Sequence, residues 1–302
     1  MEPRDGFITT ESGLRLFFQT VGSGPKKILI PNGIYLVDDF SRIANGRTLI
    51  FYDVRNRGRS DAIADQLQLA RGIHQDVDDL DAVRRHFRID RADLIGHSYM
   101  GLMVILYAMK HGPSVGRIVQ IGPMQPKHLP DPAADSTLRE CFGKIGELQK
   151  ERGSLDPVAF CRKFWSILRV IYVTNPADAD KISWDRCDLP NERNFMTYWM
   201  GSLMPSIQQL ELSADALAAV TSPVLTVHGT RDRSAPYSGG RDWALTLPNA
   251  RLVAVEDGGH APWIENPDLV FGSINAFLDG AWPDVSERVI ETDDGRQPAA
   301  KS

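Results

Sequence analysis

The sequence predicts an α/β fold, in which helices flank a mostly parallel sheet and a helical cap is inserted between two of its strands. Short apolar runs, in which polar and apolar residues hardly alternate, are typical of strands buried on both faces. These runs alternate along the chain with segments of helical periodicity. From residue 124 to about 215 this alternation stops, and the chain contains helical stretches without a convincing strand. Strands that alternate with helices favour a parallel sheet. The helical block from residue 124 to about 215 is then predicted to be a cap over one edge of that sheet.

The individual elements follow from local patterns. The runs GFITTES and GLRLFFQTVG are β-prone and are joined by a turn at Ser12-Gly13, which predicts a hairpin. Apolar residues that recur at three and four positions predict an amphipathic helix over 69–87. The other predicted strands are KKILIPNG (26–33), RTLIFYDV (47–54), ADLIGH (92–97), GRIVQIG (116–122), SPVLTVHGT (222–230) and ARLVAVEDG (250–258), and the other helices are LVDDFSRIA, Tyr99–His111, a segment near 237–246 and Pro267–Leu278.

These elements divide the chain into three parts. Residues 1–123 and 216–281 form the predicted α/β core, and residues 124–215 form the helical cap. The polar segment 282–302 is expected to be a flexible C-terminal tail.

Composition excludes several classes of protein. The 302 residues are 42% hydrophobic and 24% charged, as in ordinary globular proteins, and the net charge of −5 disfavours nucleic acid or an anionic membrane as a partner. No signal-peptide or membrane-spanning run is evident. The chain has three cysteines, Cys141, Cys161 and Cys187. Their odd number favours reduced thiols and a cytoplasmic location, and their spacing does not match that of metal ligands, so no metal site is expected. The oligomeric state is left open.

The stretch LIGHSYMG (94–101) places Ser98 between a predicted strand and a predicted helix. A serine there lies on a sharp strand-to-helix turn, which requires small neighbours such as Gly96. An N-cap serine is an equally simple interpretation of this position. The residues alone leave both roles open.

Two further polar residues follow predicted strands. Asp232 follows PVLTVHGT, and His260 follows ARLVAVED. The carboxyl ends of parallel strands meet at one sheet edge, where ligands bind. Ser98, Asp232 and His260 therefore come together in the chain order of a nucleophilic serine, a carboxylate and a histidine base. Imidazole can take the serine proton, the carboxylate can orient the imidazole, and backbone amides, one of them from Tyr99, can hold the oxyanion.

The segments that carry a family resemblance are PNGIY, YDVRNRGRSD (52–61), GHSYMG (96–101), GTRDRSAP and GHAPWIENP. The chain resembles the capped α/β-hydrolases over about residues 7–280. The resemblance implies Ser98 as nucleophile, Asp232 as acid and His260 as base. It also implies oxyanion amides from Ile34 and Tyr99, by analogy with the family's His-Gly-X loop. The loop YDVRNRGRSD, with Asp53, Arg55, Gly58 and Ser60, is expected to be structural.

Two positions depart from the family pattern. The oxyanion loop begins with Asn32-Gly33 where His-Gly is usual, and an asparagine is still able to hydrogen-bond to the loop backbone. Met100 stands where the elbow usually has a second glycine, and is expected to crowd whatever packs against the turn unless that partner is small.

The expected activity is cofactor-free hydrolysis of a small, largely apolar carboxylic ester or amide through an acyl-enzyme. A serine nucleophile argues against the epoxide hydrolases and haloalkane dehalogenases of this family, which use aspartate. An aminopeptidase of the proline iminopeptidase kind, with amine-binding acids such as Glu192 or Glu211, is an alternative, as are an acyltransferase and a non-catalytic ligand receptor. The substrate pocket is expected to include Phe195, Tyr198, Trp199 and Trp263.

Overall fold

A single sheet of eight strands forms the centre of the computed structural model, which describes residues 4–63, 66–193 and 198–290. The spatial order is β1-β2-β4-β3-β5-β6-β7-β8. β1 and β2 pair antiparallel, β2 pairs antiparallel with β4, and the remaining neighbours are parallel. The predicted mostly parallel sheet is therefore confirmed. The strands are β1 Arg4–Thr9, β2 Arg15–Gly22, β3 Lys26–Pro31, β4 Arg47–Tyr52, β5 Ala92–His97, β6 Val115–Ile121, β7 Val224–Gly229 and β8 Ala250–Val255.

Helices cover both faces of this sheet. The faces are buried against two hydrophobic clusters, one under the helices of residues 73–86, 99–111 and 237–246 and the other under those of residues 33–40 and 267–278. The helices are α1 Gly33–Phe40, α2 Gln66–Leu69, α3 Ile73–His86, α4 Tyr99–His111, α5 Ser136–Lys150, α6 Pro157–Leu168, α7 Pro190–Arg193, α8 Met204–Gln208, α9 Ala214–Ala218, α10 Tyr237–Thr246, α11 Pro262–Glu265 and α12 Pro267–Leu278.

The cap lies between β6 and β7. The described part of the segment between these two strands contains helices α5 to α9, short 3₁₀ turns and a π-helical turn at Trp199–Leu203, and no strand. Cap side chains such as Phe160, Trp165 and Trp184 belong to the same buried cluster as Ile30 and Val255 of the sheet. The cap is thus packed onto the core through continuous apolar contact, and the limits 124 and 215 remain our proposal for its extent.

The cysteines differ from expectation. Cys161 of α6 and Cys187 form a disulfide within the cap, with Cα atoms 5.8 Å apart, and Cys141 is a buried free thiol. The prediction of three reduced thiols is therefore wrong. An odd count leaves one cysteine over but does not stop two of the three from meeting, and packing in the cap brings this pair within bonding reach. The argument from reduced thiols to a cytoplasmic location loses its basis.

Part of the C-terminal segment is packed. Leu252 of β8 and Glu287 exchange two backbone hydrogen bonds of 2.8 Å, and the ring of Trp282 lies 4.9 Å from that of Phe277. Val289 is buried. Residues 282–290 thus contact the core, residues 291–302 lie outside the described part, and a flexible tail stays a prediction. Within the described ranges, no helix has the length and apolarity that crossing a membrane requires.

Candidate active site

Ser98 lies on a sharp turn between β5 and α4. Its backbone adopts φ 60° and ψ −127°, a strained conformation for a residue with a side chain. A Cβ atom on Gly96 would lie 2.3 Å from the carbonyl oxygen of Met100, and one on Gly101 would lie 2.8 Å from Pro123 Cβ. The turn therefore needs both glycines. Ser98 makes no side-chain hydrogen bond that caps α4, which disfavours the N-cap interpretation.

Met100 fits without crowding the turn. Gly101, rather than residue 100, faces the neighbouring segment at Pro123. Met100 is buried in the cluster that includes Leu102 and Met103, and it also lines the pocket above Ser98. The glycine that the family pattern places at position 100 is thus replaced in its packing role by Gly101.

Asp232 and His260 meet at the carboxyl edge of the sheet. His260 Nδ1 lies 2.7 Å from Asp232 Oδ2, and the other oxygen of Asp232 accepts from the amides of Ser234 and Ala235, both at 2.8 Å. A Cβ on Gly122, directly after β6, would lie 3.0 Å from Asp232 Oδ2 and 3.1 Å from His260 Nδ1, so a larger residue there would press on this pair. The sequence-predicted acid and base are brought together.

A second imidazole also faces this carboxylate. His228 Nε2 lies 2.8 Å from the carbonyl oxygen of Ala235 and 3.2 Å from Asp232 Oδ2. Burial alone would raise the pKa of Asp232, but His260 and His228 together hold it below its ordinary value. Asp232 is consequently an anion over the whole physiological pH range.

His260 is buried beneath two rings. The ring of His97 lies 4.6 Å from it and that of Tyr172 lies 5.0 Å from it. Its Nε2 atom is enclosed and has no hydrogen-bond partner among the described residues, so the contact between His260 and Ser98 remains a proposal. Ser98 is tied to the same edge, because its amide donates to Ile121 of β6 at 3.0 Å.

His97 cannot serve as the base. Burial, reinforced by the neighbouring His260, lowers its pKa from 6.5 to about 3, so the ring is neutral at physiological pH. Its Nε2 lies 3.0 Å from the carbonyl oxygen of His260. Because a carbonyl only accepts, His97 Nε2 carries the proton and helps to hold the His260 loop.

A pocket of about 900 Å³ opens above Ser98, between the sheet edge and the cap. Of the predicted pocket residues, Trp199 lines it, Tyr198 and Trp263 are buried but do not line it, and Phe195 lies outside the described residues. Trp263 instead packs against His97 and donates to Asp39 at 2.9 Å. The walls are mostly apolar and include Phe142, Ile145, Phe164, Leu168, Tyr172 and Trp184.

The two predicted oxyanion amides are placed differently. The amide of Tyr99 is the first of α4, lies directly after Ser98 and donates to no group in the described part of the chain. The amide of Ile34 donates to Asp53 Oδ1 at 2.8 Å, and Ile34 does not line the pocket. The expectation that Ile34 supplies an oxyanion donor therefore disagrees with this conformation, because its single N–H is already used.

The loop YDVRNRGRSD is largely structural, as expected. Arg55 forms two hydrogen bonds with Asp79 of α3, at 2.6 and 2.5 Å, and both side chains are buried. Asp53 accepts from the amide of Arg59, and Ser60 bridges Asp53 to Phe17 of β2. This arrangement holds the amino end of β2 and the carboxyl end of β4 near α3.

Arg57 of the same loop has a role that sequence reasoning missed. It lines the pocket and forms a bidentate ion pair with the cap residue Glu192, at 2.9 and 3.0 Å. Glu192 also accepts from the amide of Gly58 at 2.8 Å and from the hydroxyl of Tyr35. The available signal was the extra arginine within the recognised loop, but nothing in the sequence indicated its partner 135 residues away.

The fold and this edge of the sheet define a hydrolase scaffold, and comparison with known proteins identifies it. The alpha/beta hydrolase family profile matches residues 28–272. The chain belongs to this family.

Curated relatives include a putative carbamate hydrolase, RutD, of Pseudomonas syringae pv. syringae, which is 25% identical over 82% of this chain and 89% of that protein. Another is the proline iminopeptidase PfmaB of Pestalotiopsis fici, which is 24% identical over 80% of this chain and 84% of its own length.

Solved structures share the fold. A serine hydrolase from the polyaromatic-hydrocarbon-degrading bacterium Cycloclasticus zankles superposes with a TM-score of 0.72 at 16% identity, covering 92% of this chain and 99% of that one. The esterase EaEST from Exiguobacterium antarcticum superposes with a TM-score of 0.70 at 16% identity, covering 92% and 100%.

Proposed function

We propose that the protein is a serine hydrolase that cleaves a small, largely apolar carboxylic ester or amide through an acyl-enzyme on Ser98. The observation that carries the proposal is the strained turn that presents Ser98 at an apolar pocket, on the same edge of the sheet as the Asp232–His260 pair. A strained backbone without a capping role is found where a side chain has a chemical task.

The chemistry follows from the proton positions. Asp232 accepts the Nδ1 proton of His260, which leaves Nε2 as the acceptor for the hydroxyl proton of Ser98. The hydroxyl oxygen attacks the substrate carbonyl, and the imidazolium then returns the proton to the leaving alcohol or amine. Water, deprotonated by the same Nε2, releases the acid.

The pocket favours a substrate without a free amine. Among the described residues that line it are three arginines, Arg57, Arg152 and Arg233, and no aspartate or glutamate. The carboxylate of Glu192 already accepts hydrogen bonds from Arg57, Tyr35 and the amide of Gly58. Glu211 is exposed and does not line the pocket. These positions give the iminopeptidase alternative less support than the esterase, although one curated relative bears that name.

The test is covalent labelling followed by turnover. A fluorophosphonate should label Ser98 of the wild-type protein, as shown by intact mass and peptide mapping, and Ser98→Ala should remove the label. Ser166→Ala, at an exposed serine of α6, is the matched control and should label fully. The labelled site is then competed with short-chain nitrophenyl esters, an alkyl carbamate and prolyl amides.

Each outcome separates one alternative. Competition and turnover by esters but not by prolyl amides supports the proposal, whereas preferential turnover of the prolyl amides replaces it with an aminopeptidase. Preferential ester formation with an added alcohol points to an acyltransferase. A folded wild-type protein that is neither labelled nor active contradicts the proposal and favours a non-catalytic receptor.

A further inference from the structure

We propose that the side-chain amide of Asn32 is the second oxyanion donor, in place of the backbone amide of Ile34. The inference rests on the proposed function and deepens it, because it assigns a catalytic role to the residue by which this chain departs from the family pattern. The first donor remains the amide of Tyr99.

The backbone amides of Ile34 and Tyr35 are already used. Ile34 donates to Asp53 Oδ1 at 2.8 Å, and Tyr35 donates to the carbonyl oxygen of Asn32 at 3.1 Å. Asp53 is buried and is held in place by a second bond from the amide of Arg59. Burial raises the pKa of Asp53 to about 6, so above that pH it is a carboxylate and holds the Ile34 amide with a charge-assisted bond.

The position of α1 explains why these amides do not reach the pocket. The helix begins at Gly33, directly after β3, so Ile34 is already in its first turn. A Cβ on Gly33 would lie 2.9 Å from Phe51 Cβ, which shows that the start of the helix is pressed against β4. Neither Gly33 nor Ile34 lines the pocket, whereas Asn32 does.

The side chain of Asn32 is unused by the fold. The residue precedes α1 in the left-handed conformation, φ 66° and ψ 43°, and its side chain does not cap the helix. It is 8% exposed, and its Oδ1 is enclosed without a hydrogen-bond partner among the described residues. The donor that an oxyanion needs is Nδ2, and it makes no hydrogen bond to a described residue either, so this half of the carboxamide is free for a ligand in the pocket that Asn32 lines.

The amide suits the task chemically. Asn32 lines the same pocket as Ser98 and Tyr99. When the oxygen of Ser98 attacks, the carbonyl electron pair moves onto the substrate oxygen, and that anion accepts one hydrogen bond from Tyr99 N and one from Asn32 Nδ2. A carboxamide donor strengthens as this charge develops, and therefore stabilises the transition state more than the bound substrate.

The test uses two substitutions that the left-handed backbone tolerates. Asn32→Gly removes the side chain at a position where glycine is unstrained, and Asn32→Asp keeps the shape but replaces the donor with an acceptor. Asn249→Asp, at an exposed asparagine, is the control. Thermal unfolding verifies that all variants are folded.

With a short-chain nitrophenyl ester, Asn32→Gly should lower kcat about 10²-fold with KM nearly unchanged, and Asn32→Asp should lower it at least as much. The affinity for phenylboronic acid, which forms a tetrahedral adduct on serine, should fall in parallel. Full kcat in folded Asn32→Gly would overturn the inference while leaving the proposed function intact. A wild-type protein without label or turnover would overturn both, so the two failures are distinguishable.

Discussion

Two buried charged clusters lie at the base of the cap, and they differ in what they leave unsatisfied. The Arg57–Glu192 cluster satisfies the glutamate completely, through a bidentate ion pair, the Gly58 amide and the Tyr35 hydroxyl. The Asp232–His260 cluster satisfies its carboxylate but leaves His260 Nε2 enclosed and unpartnered within the described residues.

The difference separates a structural cluster from a chemical one. A buried charge that has all its hydrogen bonds can hold two segments together but has nothing left to offer a ligand. A buried imidazole with one free nitrogen can still accept a proton. We therefore expect substitutions in the first cluster to reduce stability, and those in the second to reduce turnover.

The largest effect is expected at the second cluster. Asp232→Asn preserves the shape of the side chain, but its amide can donate to His260 Nδ1 and so favour the tautomer in which Nε2 is protonated. We expect kcat for a nitrophenyl ester to fall about 10⁴-fold while the protein remains folded. Asp242→Asn, on α10, is the matched control and should retain kcat within about twofold. Comparable activity of Asp232→Asn and wild type would remove Asp232 from the mechanism.

The next effect is expected at the first cluster. Glu192→Gln removes the charge that compensates the buried Arg57, and we expect the free energy of unfolding to fall by about 3 kcal/mol. Chemical denaturation measures this free energy of unfolding. The control is Glu211→Gln, at an exposed cap residue, and its free energy of unfolding should be within about 0.5 kcal/mol of the wild-type value. A stable Glu192→Gln variant that has lost most of its kcat would reverse the assignment of the two clusters.

The smallest effect concerns the pH dependence of stability and involves His97, which packs against His260 of the second cluster. The pKa of this histidine is about 3 in the folded protein and 6.5 when unperturbed, so the unfolded chain binds more protons between these values. The stability contributed by neutral His97 is therefore complete above pH 6.5 and declines as the pH falls towards 3. His97→Gln should reduce the loss of unfolding free energy between pH 7.5 and 5 by about 2 kcal/mol, as measured by urea denaturation at both values. An unchanged difference would show that His97 already titrates normally in the fold.

Elements with strong local signals were predicted well. Tyr99–His111 and Pro267–Leu278 are helices with those limits, and the hairpin at Ser12-Gly13 is present, with Gly13 at φ 80°. Runs of apolar residues and the placement of proline or glycine determine such elements from a few neighbouring positions. The common edge of Asp232 and His260 was also predictable, because parallel strands end together.

Contacts between distant segments were not predictable in the same way. The Cys161–Cys187 disulfide, the Arg57–Glu192 pair and the bond from Ile34 to Asp53 each depend on where a cap segment or a loop comes to rest. Each of these residue types has many possible partners in the sequence, and packing selects one. The same holds for Tyr198 and Trp263, whose aromatic character was recognised but whose direction relative to the pocket was not.

The sequence by itself determined the alternation of strands and helices, the interruption by the cap, and the order in which serine, aspartate and histidine follow their strands. Local periodicity and the geometry of parallel strands are sufficient for these features. Only the tertiary structure decided which amides and charges remain free at the pocket, because a donor is available only after every competing acceptor around it has been placed.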